Sequence, residues 1–111
     1  MITTHVLDLA RGVPAAGVGV TVERLQADGD WAAVGRGTTD QRGRLEALTG
    51  GAVTAGSYRL TFEVGDYQRG CGVEAPFFPY AQVVFDVPAP GNHVHVPLLL
   101  SPFGYSTYRG S

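Results

Sequence analysis

The sequence predicts an all-β fold, an antiparallel sandwich or barrel of about seven or eight strands, and three observations predict it. Short segments alternate apolar and polar residues along most of the chain. Gly, Pro and Asp punctuate these segments at regular intervals. Only Asp66 to Cys71 reads as helix, and it is a single turn. Periodicity alone leaves sandwich and barrel open.

Thr3 to Leu9 reads as the first strand, broken by Arg11-Gly12-Val13-Pro14. Val18 to Leu25 is the second, with Val18, Val20 and Val22 on one face. Asp28-Gly29-Asp30 is a turn, and Trp31 to Thr39 returns from it. Asp40 to Arg44 is a loop, and Leu45 to Leu48 is a short edge strand. In Ser57 to Val64, Tyr58, Leu60, Phe62 and Val64 share one face. The helical turn follows, with Asp66 expected as its cap. Ala81 to Val87 is a strand, Pro88 to Asn92 a turn, His93 to Ser101 a long strand and Tyr105 to Tyr108 a last short one.

The chain has 111 residues, the size of one domain spanning 1–111. Hydrophobic residues make up 44% and charged ones 16%, which excludes a disordered chain. The low charge density also hints at surface covered by other subunits. A net charge of −2, no Lys and scattered Arg argue against nucleic-acid binding. Cys71 stands alone and makes no intrachain disulfide, which suits a reducing compartment. No apolar run is long enough to span a bilayer, and no secretory signal is read at the start, so a cytoplasmic location is expected.

The candidate bases are His5, His93 and His95, because imidazole titrates near neutral pH. His93 and His95 are two apart in a strand and leave the same face. Val94, Val96, Leu98 and Leu100 leave the other, which is the core face. The histidine face, continuing through Pro97, Leu99 and Ser101, is then a cleft or an interface. Taken alone, His5 reads as a half-exposed edge residue. These three histidines could reach one zinc ion, but nothing in their spacing demands a metal, and a metal-free site is expected. Arg44 lies in the Asp40-Gln41-Arg42-Gly43-Arg44 loop, where its fork suits a planar anion; an unselected loop Arg is more often a solvated charge. The terminal Pro102 to Ser111 carries Phe103, Tyr105 and Tyr108, which suggests a packed tail.

His5-Val6-Leu7-Asp8 with Gly12 and Pro14-Ala15, Phe77-Phe78-Pro79, His93 to Pro102, and the terminal Tyr108-Arg109-Gly110-Ser111 together resemble the transthyretin-like 5-hydroxyisourate hydrolases. The resemblance runs from about Thr4 to the last residue. It implies a β-sandwich of two four-stranded sheets with one short helix, assembled as a homotetramer with active sites where two dimers meet. It implies hydrolysis of 5-hydroxyisourate to 2-oxo-4-hydroxy-4-carboxy-5-ureidoimidazoline, in urate breakdown and without a cofactor. By motif position it implies His5, Arg44, His95 and Ser111 as catalytic, with His5, Arg44 and Tyr108 on the substrate. The sequence departs from the family at Arg42, where Asp usually precedes the Gly-Arg pair, and at Val94, where an aromatic often stands. The competing reading is a carrier that binds an aromatic ligand without chemistry. A carrier has no need of the full set of His5, Arg44, His95 and the Tyr108 to Ser111 tail.

Overall fold

In the computed structural model, which describes residues 1–89 and 93–111, alternating burial along the strands sorts them into two sheets packed face to face. The strands are β1 (Ile2–Asp8), β2 (Val13–Pro14), β3 (Gly19–Leu25), β4 (Trp31–Thr38), β5 (Arg44–Leu45), β6 (Gly56–Phe62), β7 (Ala81–Val87), β8 (Val94–Ser101) and β9 (Gly104–Thr107). One helix, α1 (Val64–Gly70), follows β6. The first sheet has the order β2-β1-β8-β9, and the second β4-β3-β6-β7. The architecture is therefore a sandwich.

The first sheet holds five strands rather than the expected four, because β5 also pairs with β1. β8 takes one edge of β1 along its whole length. On the other edge β5 pairs with Thr4 and His5, and β2 with Leu7 and Asp8. These two-residue strands lie end to end, so the sheet stays four strands wide. β2 was expected only as a break after β1. Its Pro14 is tolerated because the strand is short and at an edge. The pairing of β1 with β8 is parallel, the exception to an otherwise antiparallel pattern.

Ile2, Val6, Val96, Leu98 and Leu100 from the first sheet meet Val20, Val22, Tyr58, Leu60 and Phe62 from the second. Each fully buried large side chain contributes roughly 1.5–3 kcal/mol. Val94 shares this buried face, as the alternation of β8 requires. Two hydroxyls drawn into the core are bonded: Thr4 Oγ1 donates to the Val96 carbonyl at 2.6 Å, and the Tyr58 hydroxyl donates to that of Thr54 at 2.7 Å.

The helix corrects the expected one. It begins at Val64, not Asp66, and Glu63 stands at the cap position without a side-chain hydrogen bond. Val64 is fully buried, and the Gly65 N–H donates to the Pro79 carbonyl at 3.1 Å. Burial of Val64 bends the chain out of the sheet two residues early, so tertiary packing overrides the cap signal. Asp66 instead lies exposed in the first turn, paired with Arg69. The turn expected at Pro88 to Asn92 falls partly outside the described residues.

Candidate active site

The strand register brings the expected residues together. In the parallel pair, Thr3 lies opposite His95 and His5 opposite Pro97; in the antiparallel pair, His5 lies opposite Arg44. Residues opposite each other in a sheet project from the same face. Thr3, His5, Arg44 and His95 therefore all point away from the core. They border a cleft of about 490 Å³ that Tyr108 and Ser111 also line. All five site residues expected from the sequence reach this one cleft. Thr3, Glu46 and His93 join them.

The loop before Arg44 is held by Asp40. Its Oδ1 accepts the backbone N–H groups of Arg42 at 2.8 Å and Arg44 at 3.0 Å. The Arg44 N–H, with smaller help from the Arg42 N–H and the two guanidinium charges, holds the Asp40 carboxyl below the usual carboxylate range. Gly43 makes the turn possible. Its φ is +75°, and a Cβ there would lie 2.4 Å from the Val6 carbonyl oxygen. The departure at Arg42 is harmless to this geometry, because residue 42 contributes its backbone. The Arg42 carbonyl lies 2.8 Å from His5 Nε2. A carbonyl only accepts, so His5 Nε2 carries a proton, and Nδ1 is the basic nitrogen of the neutral ring.

His95 is fixed on two sides. Its Nδ1 lies 2.8 Å from Thr3 Oγ1. On the other side the tail crosses it: the Gly110 N–H donates to the His95 carbonyl at 2.8 Å. A Cβ at position 110 would lie 2.5 Å from His95 Cδ2, so the ring and a side chain there exclude each other. The motif needs glycine for this contact. Burial lowers the His95 pKa below the usual imidazole value, and the charges of Arg44, His5 and His93 push it the same way; Glu46 opposes them. Arg44 is exposed, and among the described residues its guanidinium has neither an ion pair nor a hydrogen bond. An unmatched guanidinium beside imidazoles is suited to binding an anionic or oxygen-rich planar ligand. No set of three His, Cys, Asp or Glu among the described residues is grouped to hold a metal ion.

The tail departs in part from its expected packing. Its backbone is tied to β8 through β9 and through the Gly110 bridge. Its rings, however, stay open to solvent in the single chain, with Phe103 81% and Tyr108 56% exposed. Phe103 meets Phe77 edge to face, and Tyr105 meets Phe78 in the same way, which forms an aromatic ledge. Thr3 was not singled out from the sequence. Its role depends on the offset between strands far apart in the chain, which no local pattern records.

Residues 2–110 match the model of the HIUase/Transthyretin family. The chain belongs to this family. Among curated relatives, 5-hydroxyisourate hydrolase of Caulobacter vibrioides is 47% identical, with 99% of this chain and 97% of that protein covered. The uric acid degradation bifunctional protein TTL of Arabidopsis thaliana is 44% identical over 99% of this chain, which spans only 37% of that longer protein. Among solved structures, Klebsiella pneumoniae 5-hydroxyisourate hydrolase superposes with a TM-score of 0.85 at 36% identity, covering 99% of this chain and 98% of the other. Sea bream transthyretin in complex with thyroxine gives 0.89 at 35% identity, covering 98% and 93%. The scaffold is thus shared by a 5-hydroxyisourate hydrolase and by a transthyretin in complex with thyroxine. Fold alone does not separate them, and the side chains of the cleft must. The described residues contain no helix long and apolar enough to cross a membrane.

Proposed function

We propose that this chain is a 5-hydroxyisourate hydrolase acting in urate breakdown. The carrying observation is the convergence of His5, Arg44, His95, Tyr108 and Ser111 on one cleft in which Arg44 has no partner among the described residues. The name of the Caulobacter vibrioides relative, at 47% identity over nearly the whole chain, supports the same reading. Water adds to a ring carbonyl of the substrate, the ring opens, and 2-oxo-4-hydroxy-4-carboxy-5-ureidoimidazoline is released. His95, kept neutral by burial and by Arg44, takes the proton from the attacking water through Nε2. His5, whose Nε2–H is held by the Arg42 carbonyl, offers its other nitrogen to substrate or water. Arg44 orients the urate-like oxygens and offsets negative charge as it develops on them. Tyr108 and Ser111 supply hydrogen bonds at the rim. Base, orientation and charge stabilisation suffice for this ring opening, so no cofactor or metal enters the proposed reaction.

The active form in this reading is a homotetramer whose cleft is closed where two dimers meet. The exposed Phe103, Tyr105 and Tyr108, the last of them lining the cleft, support it, because exposed rings favour coverage by another subunit. A cytoplasmic location goes with the unpaired, exposed Cys71. The alternative, a carrier, draws on the superposition with thyroxine-bound transthyretin. It assigns no task to an unpaired Arg beside a neutral His.

The test is turnover of 5-hydroxyisourate generated in the cuvette by urate oxidase, followed by absorbance and by circular dichroism of the product. Fast decay to one enantiomer, from protein with the mass of four chains, is expected. Decay at the blank rate from folded tetramer would sink the hydrolase and favour the carrier.

A further inference from the structure

Thr3 and His93 are among the parts of the cleft that the proposed reaction leaves unused. Thr3 is 3% exposed, and its Oγ1 lies 2.8 Å from His93 Nε2 and 2.8 Å from His95 Nδ1. Both distances are those of hydrogen bonds. A hydroxyl has one proton, so it donates to one ring and accepts from the other. Two arrangements satisfy both contacts. In the first, His95 carries its proton on Nδ1 and donates to Thr3, which donates to an unprotonated Nε2 of His93. In the second, His93 Nε2–H donates to Thr3, which donates to His95 Nδ1. The neutral His95 then carries its proton on Nε2.

The ring of His95 cannot turn over to escape this choice. Its Cδ2 edge faces Gly110, whose N–H is already given to the His95 carbonyl, so a flipped ring would find no partner there. Nδ1 is thus committed to Thr3, and Nε2 is the nitrogen left to the cleft. The first arrangement leaves a lone pair on Nε2, and the second removes it. Once His95 has taken a proton it carries N–H on both nitrogens. Only the first arrangement accommodates that cation, and it does so without any rotation of the hydroxyl.

We propose that Thr3 is a positioning residue that selects the Nδ1–H tautomer of His95 by donating its own proton to His93 Nε2, and so keeps His95 Nε2 available as a base. The proposal rests on the hydrolase reading for its kinetic consequence but not for its structural one. The proton taken from water stays on His95 Nε2 until it returns to the leaving nitrogen, while the Nδ1–H···Oγ1–H···Nε2 chain stabilises the charge. It follows that His93, which does not touch the reacting atoms, governs the base. A proton on His93 Nε2 turns the Thr3 hydroxyl toward His95 and leaves the inert tautomer. The other charged or titratable groups bordering the cleft are Arg44, Glu46, His5, Tyr108 and the two chain ends. None of them is hydrogen-bonded to Thr3 Oγ1.

The experiment pairs long-range proton–nitrogen NMR of histidine-labelled protein with kinetics of Thr3→Val, Thr3→Ser and His93→Ala. Wild-type His95 is expected as the Nδ1–H tautomer and Thr3→Val as a mixture. In Thr3→Val, kcat should fall about tenfold, what one hydrogen bond is worth, with KM unchanged. Thr3→Ser should restore both readouts, and His93→Ala should reproduce the loss in kcat without altering β1. Wild-type His95 protonated on Nε2 overturns the proposal whatever the activity, as does wild-type kcat in both Thr3→Val and His93→Ala. A protein that shows the expected tautomer but does not turn over 5-hydroxyisourate upholds the bridge and overturns the hydrolase instead. Should Thr3→Val not fold, the wild-type spectrum and His93→Ala decide the matter.

Discussion

Two concavities on this molecule hold similar residue types and differ in how those residues are committed. The larger, about 760 Å³, lies beside α1 and is lined by Arg11, Glu63, Asp66, Tyr67 and Cys71 among others. The polar groups around Tyr67 close on one another. The Tyr67 hydroxyl donates to Asp8 Oδ2 at 2.8 Å and accepts from Arg11 Nη1 at 3.4 Å, and Asp8 Oδ1 also accepts the N–H groups of Ala10 and Arg11. Burial and the bond to Asp8 raise the Tyr67 pKa above that of an ordinary phenol, which keeps it a donor. The histidine cleft is smaller, but among the described residues its Arg44 is unmatched and its His95, whose pKa burial lowers, has one nitrogen free. The lesson is that volume does not mark a site. Polar groups held in place for an absent partner mark it, whereas groups already paired serve the fold.

The comparison is broken most severely at His95. His95→Ala should lower kcat by about 10²- to 10⁴-fold, the range for a general base, with the native mass unchanged. An unchanged rate would remove His95 from the chemistry. Next is Gly110→Ala, whose methyl would push the His95 ring aside. A displacement near 1 Å costs on the order of 100-fold, and a crystal structure of the variant should show the ring moved.

Acid should separate the two concavities more gently. The base works unprotonated, and its pKa is lowered. The acid limb of kcat/KM should therefore fall below the ordinary imidazole value of about 6.5. Removing the positive charge in Arg44→Gln should move that limb upward, and a limb that stays put would argue against Arg44 as its neighbour. The smallest effect on turnover is expected in the larger groove. Tyr67→Phe should leave kcat and KM as they are and cost about 1–2 kcal/mol of stability, read from the urea midpoint, because Asp8 loses a partner while 6% exposed.

Much of this was legible in local pattern. The alternation from His93 to Ser101 separated a core face from an imidazole face; the core face is found as read, with Val94, Val96, Leu98 and Leu100 buried, while on the other face Pro97 is buried as well. The strand at Ala81 to Val87 has the expected limits. His5 could not be joined to His95 by pattern, because only the register of β1 against β8 sets them on one face; the resemblance to the hydrolases supplied that link. Thr3 escaped for the same reason. The helix start was misread because Asp66 carries a local cap signal and Val64 a burial signal that only the assembled core reveals. β2 was hidden by Pro14, which usually speaks against a strand.

The pairing of β1 with β8 also sets a timetable. Thr3 and His95 are 92 residues apart, and their strands run parallel, an arrangement with a high entropic cost of closure. The β3–β4 and β3–β6 pairings join closer neighbours and can form while β1 still waits with an open edge. Chain order thus makes the cleft a late event of folding. During synthesis the histidine of β1 emerges first and becomes part of a site only after β8 has left the ribosome, so an incomplete chain has strands to protect from aggregation but no active cleft.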